Sequence, residues 1–193
     1  MRTGLFFGSF NPVHTGHLII ANHFVQYTDI DSIWFVLSPL NPFKAGEKML
    51  GNEERLELLH LAVDDNEAFQ VCVIELSMKT PSYSIHTIKK LQQDNPGNSF
   101  VLLIGSDNLD EFDRWKDYRE ILDRVNVYVY PRDTGSSSLF LSHPSVKYID
   151  APRIDISSTA IRKAISTGCD VRYLLPDKVL QRIREIGYYK NLD

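Results

Sequence analysis

Runs of consecutive apolar residues alternate along this chain with stretches whose apolar residues recur every three or four positions. Gly4–Phe7 (GLFF), Ser32–Leu37 (SIWFVL), Gln70–Ile74 (QVCVI), Ser99–Ile104 (SFVLLI) and Val125–Tyr130 (VNVYVY) read as short strands, with a weaker one at Val146–Ile149. Helical spacing marks Leu18–Tyr27, Glu53–Val63 and Ser84–Gln93 between them, then Ser157–Thr167 and Pro176–Ile186. Pro176 suits a first helical turn, and Gly187 suits a helix stop. Strands without a polar face must be covered on both sides. The alternation therefore predicts a doubly wound α/β fold: a mostly parallel sheet, helices on both faces and a C-terminal helical segment. Pro39–Gly51, Asp110–Asp117 and the Ser-rich Thr134–Pro144 read as loops. Open parallel sheets bind ligands beyond the carboxyl ends of their strands, so functional residues are expected after Phe7, Leu37, Ile104 and Tyr130.

Length and composition narrow this picture. A chain of 193 residues is read as one domain, 1–193, able to bury a core without disulfides or a structural metal. Lys and Arg total 21 against 25 Asp and Glu, a net charge of −4, which argues against a surface built for nucleic acid or anionic membrane. An anionic small molecule needs only local positive groups and is not excluded. Cys72 and Cys169 form no ligand cluster, and Cys72 sits in an apolar VCVI setting. No apolar stretch is long enough to span a membrane, so a cytoplasmic location is expected. Self-association is compatible with the sequence.

Candidate chemistry begins where the first strand ends, at Gly8-Ser9-Phe10-Asn11-Pro12-Val13-His14-Thr15-Gly16-His17. Gly8 permits close backbone approach and Ser9 adds a hydroxyl. The helix that follows offers free N–H groups and a dipole favourable to anions. His14 and His17 are three apart, so a helical start brings both rings to one side, where they can donate to phosphate oxygens gaining charge. The alternatives are zinc ligation, for which H-x-x-H supplies only two ligands, and plain local hydrogen bonding. Neither G-x-x-x-x-G-K-[ST] nor G-x-G-x-x-G occurs at this position, which weakens kinase and dehydrogenase readings. Far away, Ile156-Ser157-Ser158-Thr159-Ala160-Ile161-Arg162 places capping hydroxyls one turn before an arginine, a set able to converge on one anion or simply to cap an amphipathic helix. Gly105-Ser106-Asp107 after the fourth strand can let backbone meet a nucleotide while Asp107 takes ribose hydroxyls, or can be a turn with a capping Asp.

The first of these segments resembles the G-[ST]-F-D-P-x-H-x-G-H signature of the HxGH nucleotidylyltransferase superfamily, with Phe7 where many members carry another glycine and Asn11 in place of aspartate. Ile156–Arg162 resembles the same superfamily's I-S-S-T-x-[IL]-R element. Asn41-Pro42-Phe43-Lys44, Pro81–Thr87 (PSYSIHT) and Ile104–Asp107 with Arg114-Trp115-Lys116 are similar to the P-P-H-K, P-S-Y-T and I-G-x-D…W elements of the bacterial nicotinate-nucleotide adenylyltransferase family, with Phe43 replacing histidine. The resemblance implies a Rossmann-like fold and adenylyl transfer from ATP to nicotinate mononucleotide in NAD biosynthesis. It implies His14, His17 and Arg162 as catalytic groups, and ATP bound by Gly8, Ser9, Phe10, His14, His17, Gly105, Asp107, Ser157, Ser158 and Arg162. The acceptor falls to Lys44, Ser84, Ile85, Trp115 and Lys116, with backbone N–H groups at Ile85 and Lys116 holding its carboxylate. Mg²⁺ would travel mainly on the ATP phosphates, and the residues from about 151 to 193 would complete the ATP site. Transfer to nicotinamide mononucleotide or another phosphate acceptor, and a nucleotide-binding domain without catalysis, stay open; His14 speaks against pantetheine-phosphate adenylyltransferases.

Overall fold

The computed structural model describes residues 1–39, 49–132 and 138–190. Among these, six strands form one sheet: β1 (Arg2–Gly8), β2 (Ser32–Leu37), β3 (Phe69–Cys72), β4 (Ser99–Gly105), β5 (Asn126–Tyr130) and β6 (Val146–Tyr148). The order is β3-β2-β1-β4-β5-β6 and every ladder is parallel. Between and after the strands come α1 (Thr15–Tyr27), α2 (Asn52–Val63), α3 (Ser84–Asp94), α4 (Ser106–Asp110), α5 (Tyr118–Arg124), α6 (Ser158–Ser166) and α7 (Asp177–Ile186).

The unbroken apolar strands have the predicted cause. Along β4, Phe100, Leu102 and Ile104 enter one core while Val101 and Leu103 enter the other. One core takes Phe24 of α1, Leu58 and Leu59 of α2, Ile161 of α6 and Val179 and Ile183 of α7. The other takes Ile85 and Ile88 of α3 and Ile121 of α5. Both faces are covered, as a period-2 strand with no polar side requires. Helix α7 ends at Gly187, whose φ of 82° accepts the left-handed conformation at low cost, and Tyr188 N–H closes back to Ile183 O at 3.1 Å.

Three segments differ from expectation. The third strand stops at Cys72 because Ile74–Ser77 coils into a 3₁₀ turn that buries Glu75. The segment read as the loop Asp110–Asp117 contains a 3₁₀ turn at Phe112–Arg114, anchored by buried Phe112, and leads into the short helix α5. Within Thr134–Pro144, Leu139–Ser142 forms another 3₁₀ turn; residues 133–137 lie outside the described ones. The register sets Gly8 beside Leu37 and Gly105 beside Tyr130, so the carboxyl ends of the four central strands open along one edge. Chain order reverses between β1 and β4, the place where a doubly wound sheet leaves a crevice.

Candidate active site

A cleft of about 320 Å³ occupies that crevice. Its floor is the loop after β1. Phe10 takes φ 44°, and its buried ring packs edge-on to Phe6 (6.1 Å between centroids) and to His17 (5.2 Å), leaving the loop backbone toward the cleft. Arg55, 1% exposed on α2, fastens this loop to the strand exits: its guanidinium donates to Ser9 O (2.5 Å), Ser38 O (2.9 Å), Pro39 O (3.2 Å) and Asn52 Oδ1 (2.6 Å), and Nε to Leu50 O (3.1 Å). From the far end of the chain, Ser158 Oγ donates to Pro12 O (2.9 Å), Arg162 Nη1 to Asn11 O (2.9 Å) and the Tyr189 hydroxyl to Asn11 Oδ1 (2.9 Å). Leu50 N–H also donates to Asn11 Oδ1, at 3.3 Å, which fixes the orientation of that amide.

His14 is the residue before the first turn of α1, in extended backbone, and its N–H donates to His17 Nδ1 at 3.2 Å. With Nδ1 accepting, the proton of a neutral His17 sits on Nε2. The two rings stack, 3.6 Å between centroids and 21° apart in plane. Burial, with the nearby Arg132 charge adding to it, depresses the His14 pKa to about 4, so His14 is neutral at pH 7. A Cβ on Gly16 would meet His14 Nδ1 at 3.1 Å and Ile154 Cγ2 at 3.0 Å; a glycine is what lets the ring and the 150–157 segment close here. Two buried polar atoms of this one stretch, Ser9 Oγ and Asn11 Nδ2, have no partner among the described residues. Buried polar groups are ordinarily satisfied, so such a pair beside a cleft marks a surface shaped for a polar ligand.

Of the residues singled out in the sequence, Gly8, Ser9, Phe10, His14, His17, Gly105, Ser157, Ser158 and Arg162 line the cleft, as do Ser84, Trp115 and Lys116. Ser157 caps α6, its Oγ accepting from Ala160 N–H at 3.2 Å. Two residues are placed otherwise. Asp107 stands off the cleft wall, its carboxylate 3.3 Å from Arg132 Nη1 and accepting from Asn108 Nδ2 at 3.1 Å. The Ile85 side chain is wholly buried in the α3 face of the sheet, so only its backbone is available to a ligand. Lys44 lies outside the described residues. Lys116 holds its ammonium 4.6 Å over the Tyr83 ring, joining the segment after β4 to the start of α3, and Trp115 packs against Phe112 at 5.3 Å.

Four side chains beyond those given a role from the sequence shape this site. Arg132 and Arg114 add positive charge to the wall, and Arg132 falls just beyond β5, at a strand exit already flagged. Arg55 could have been found: it shares a helical stripe with Leu58, Leu59 and Ala62, an odd place for a charge unless it has carbonyls to bind. Glu75, a single acid in an apolar stretch, gave no comparable signal. Among the described residues no group of three or more His, Cys, Asp or Glu side chains could hold a metal ion, and no helix is long and apolar enough to cross a membrane.

Comparisons with known proteins fit this geometry. Residues 5–164 match the family described as cytidylyltransferase-like. A Cytophaga hutchinsonii protein named "Probable nicotinate-nucleotide adenylyltransferase" is 42% identical over 191 residues, 99% of this chain and 100% of that protein. A Porphyromonas gingivalis protein of the same name is 46% identical over 177 residues, covering 91% of this chain and 90% of its own. Among solved structures, nicotinic acid mononucleotide adenylyltransferase of Plasmodium falciparum complexed with NaAD superposes with a TM-score of 0.81 at 15% identity, over 100% of this chain and 99% of that one, a likeness of fold.

Proposed function

This chain belongs to the cytidylyltransferase-like family, and from that premise we infer that it transfers the adenylyl group of ATP to nicotinate mononucleotide, giving nicotinate adenine dinucleotide and pyrophosphate in NAD biosynthesis. The observation that carries the reading is the meeting of His14, His17 and Arg162, from opposite ends of the chain, on one cleft at the carboxyl edge of a parallel sheet.

In the reaction an oxygen of the acceptor's 5′-phosphate forms a bond to the α-phosphorus of ATP as the bond from that phosphorus to the bridging oxygen breaks, and pyrophosphate leaves with the electron pair. The nucleophile is already an anion, so no base is required, and the protein's contribution is alignment and charge stabilisation. We assign His17 as donor, through Nε2–H, to the α-phosphoryl oxygens, the neutral His14 beside it to the same region, and Arg162 with the start of α6 to the β and γ phosphates. Removing one such donor typically costs about 2.7–4 kcal/mol in the barrier. Arg162 also holds Asn11 O, so it joins the phosphate site to the loop that carries the histidines. Trp115, Lys116 and the first turn of α3 form the acceptor side, where the helix N-terminus suits the nicotinate carboxylate and Trp115 a pyridine face. Mg²⁺ would be held mainly by the ATP phosphate oxygens and waters and would supply charge neutralisation there, while His14, His17, Arg162, Ser157 and Ser158 on the cleft wall would meet the phosphates directly. Residues 1–193 then act as one domain, because α6 supplies part of the phosphate site.

The test is direct competition. Equal concentrations of nicotinate and nicotinamide mononucleotide are supplied with ATP and Mg²⁺, pyrophosphate release is followed, and the dinucleotide formed is identified by mass. Nicotinate adenine dinucleotide is expected to dominate. A majority of NAD would overturn the acceptor, and no pyrophosphate with either would overturn the activity.

A further inference from the structure

Glu75 lies in the 3₁₀ turn that ends β3, 2% exposed. Both carboxylate oxygens are used: Oε2 accepts from Ser82 Oγ and Oε1 from Thr87 Oγ1, each at 2.7 Å. Ser82 is 6% exposed and Thr87 fully buried, and no ion pair to Glu75 occurs among the described residues. A carboxylate withdrawn from water without a cation is costly, and what makes it tolerable is that both oxygens are hydrogen-bonded.

The two hydroxyls bracket a single junction. Ser82 precedes and Thr87 follows Tyr83-Ser84, where α3 begins, and no side chain caps that helix. Glu75, Ser82, Tyr83 and Ser84 all line the cleft. A negative charge next to a wall meant for anionic substrates works against binding by field alone, so its benefit must be geometric. We propose that Glu75 is a positioning residue for the acceptor: by fixing Ser82 and Thr87 it sets where the first turn of α3 presents its N–H groups to the acceptor's carboxylate, without itself touching substrate. The proposal rests on the acceptor side assigned above, and it makes Glu75 matter to one substrate and not the other.

The experiment compares Glu75→Ala, Glu75→Gln and the double variant Ser82→Ala/Thr87→Val with wild type. Glu75→Ala is expected to raise KM for nicotinate mononucleotide at least tenfold with KM for ATP within twofold, and the double variant to follow it. Glu75→Gln is expected to stay within about threefold of wild type, since its amide can accept from one hydroxyl and donate to the other. Amide hydrogen exchange of the unliganded protein is expected to accelerate at least tenfold at residues 83–88 in Glu75→Ala and stay unchanged in β1 and β4. An unchanged acceptor KM, or both KM values rising together, overturns the proposal. If Glu75→Ala is insoluble, the double variant decides on the same criteria. The exchange measurement does not need turnover: if wild type fails to use nicotinate mononucleotide the functional reading falls, while unaltered exchange at 83–88 overturns the positioning role separately.

Discussion

Replacing Gly16 by alanine sets two measurable effects against each other. The new Cβ would lie 3.0 Å from Ile154 Cγ2 and 3.1 and 3.2 Å from His14 Nδ1 and Cε1. Carbon contacts are comfortable at roughly 3.5–4.0 Å, so something must retreat by about half an ångström. Alanine in place of glycine in the first turn of α1 gains up to about 1 kcal/mol in helix propensity. Overpacking a closed site costs about 1–3 kcal/mol. The net loss of stability should therefore be no more than about 3 kcal/mol, and at roughly 2–4 °C per kcal/mol for a chain of this size the melting temperature should fall by less than about 12 °C. Catalysis has no offsetting gain. Ile154 stands in an irregular segment and can yield on one side, but the His14 ring is pinned by its stack on His17, 3.6 Å away, and must tilt with it. If a misplacement of 1 Å can cost a hundredfold, half of that predicts a kcat about tenfold lower. Steady-state kinetics with saturating mononucleotide, beside a thermal melt, reads both effects. A kcat within twofold of wild type would refute the claim that Gly16 is there to let the His14 ring and the 150–157 segment close.

Three further outcomes follow from the same geometry. His17→Ala should lower kcat by about a hundredfold or more while ATP affinity, measured by calorimetry, changes only a few-fold, because the donor matters most to charge that develops in transit; an unchanged kcat would sink its catalytic assignment. Arg55→Ala leaves the carbonyls of Ser9, Ser38, Pro39 and Leu50 without their donor, so it should destabilise the protein by about 4 kcal/mol or more, with Arg55→Lys recovering little because one ammonium cannot fork to all four; a urea midpoint near wild type would contradict this. His14, held near 4 against an ordinary 6.5, is neutral when folded, so the unfolded chain binds the extra proton: stability should fall as pH drops from about 6.5 to 4, by at most about 3 kcal/mol, and His14→Asn should flatten that slope. Saturating ATP, an anion, should raise the His14 titration seen by NMR.

The alternation of apolar runs and helical stripes carried the layer architecture, because a strand buried on both faces has no other arrangement open to it. What it did not carry were the small elements: α4, α5 and the 3₁₀ turns are too short to show a period, and Ile74 left its strand because the chain there turns to bury Glu75. Local sequence likewise marked His14 and His17, whose three-residue spacing on a helix start brings the rings together, and Gly187, whose place after an amphipathic run ends α7.

The long-range fastenings were another matter. That Arg55 grips four carbonyls on three segments, that Tyr189 and Arg162 close onto Asn11, and that Glu75 gathers Ser82 and Thr87 are facts of contact between residues far apart or differently turned, and no pattern of spacing encodes them. Asp107 and Arg132 illustrate the same limit, since strand-end position singled out both neighbourhoods but only the folded arrangement directed one side chain to its partner and the other onto the cleft wall. Sequence alone determined which residues are buried by period and which loop lines the cleft, because those depend on local geometry and chemistry repeated along the chain. Only the tertiary structure decided how the site is held open and aligned, because a hydrogen bond's worth depends on where folding sets both of its ends.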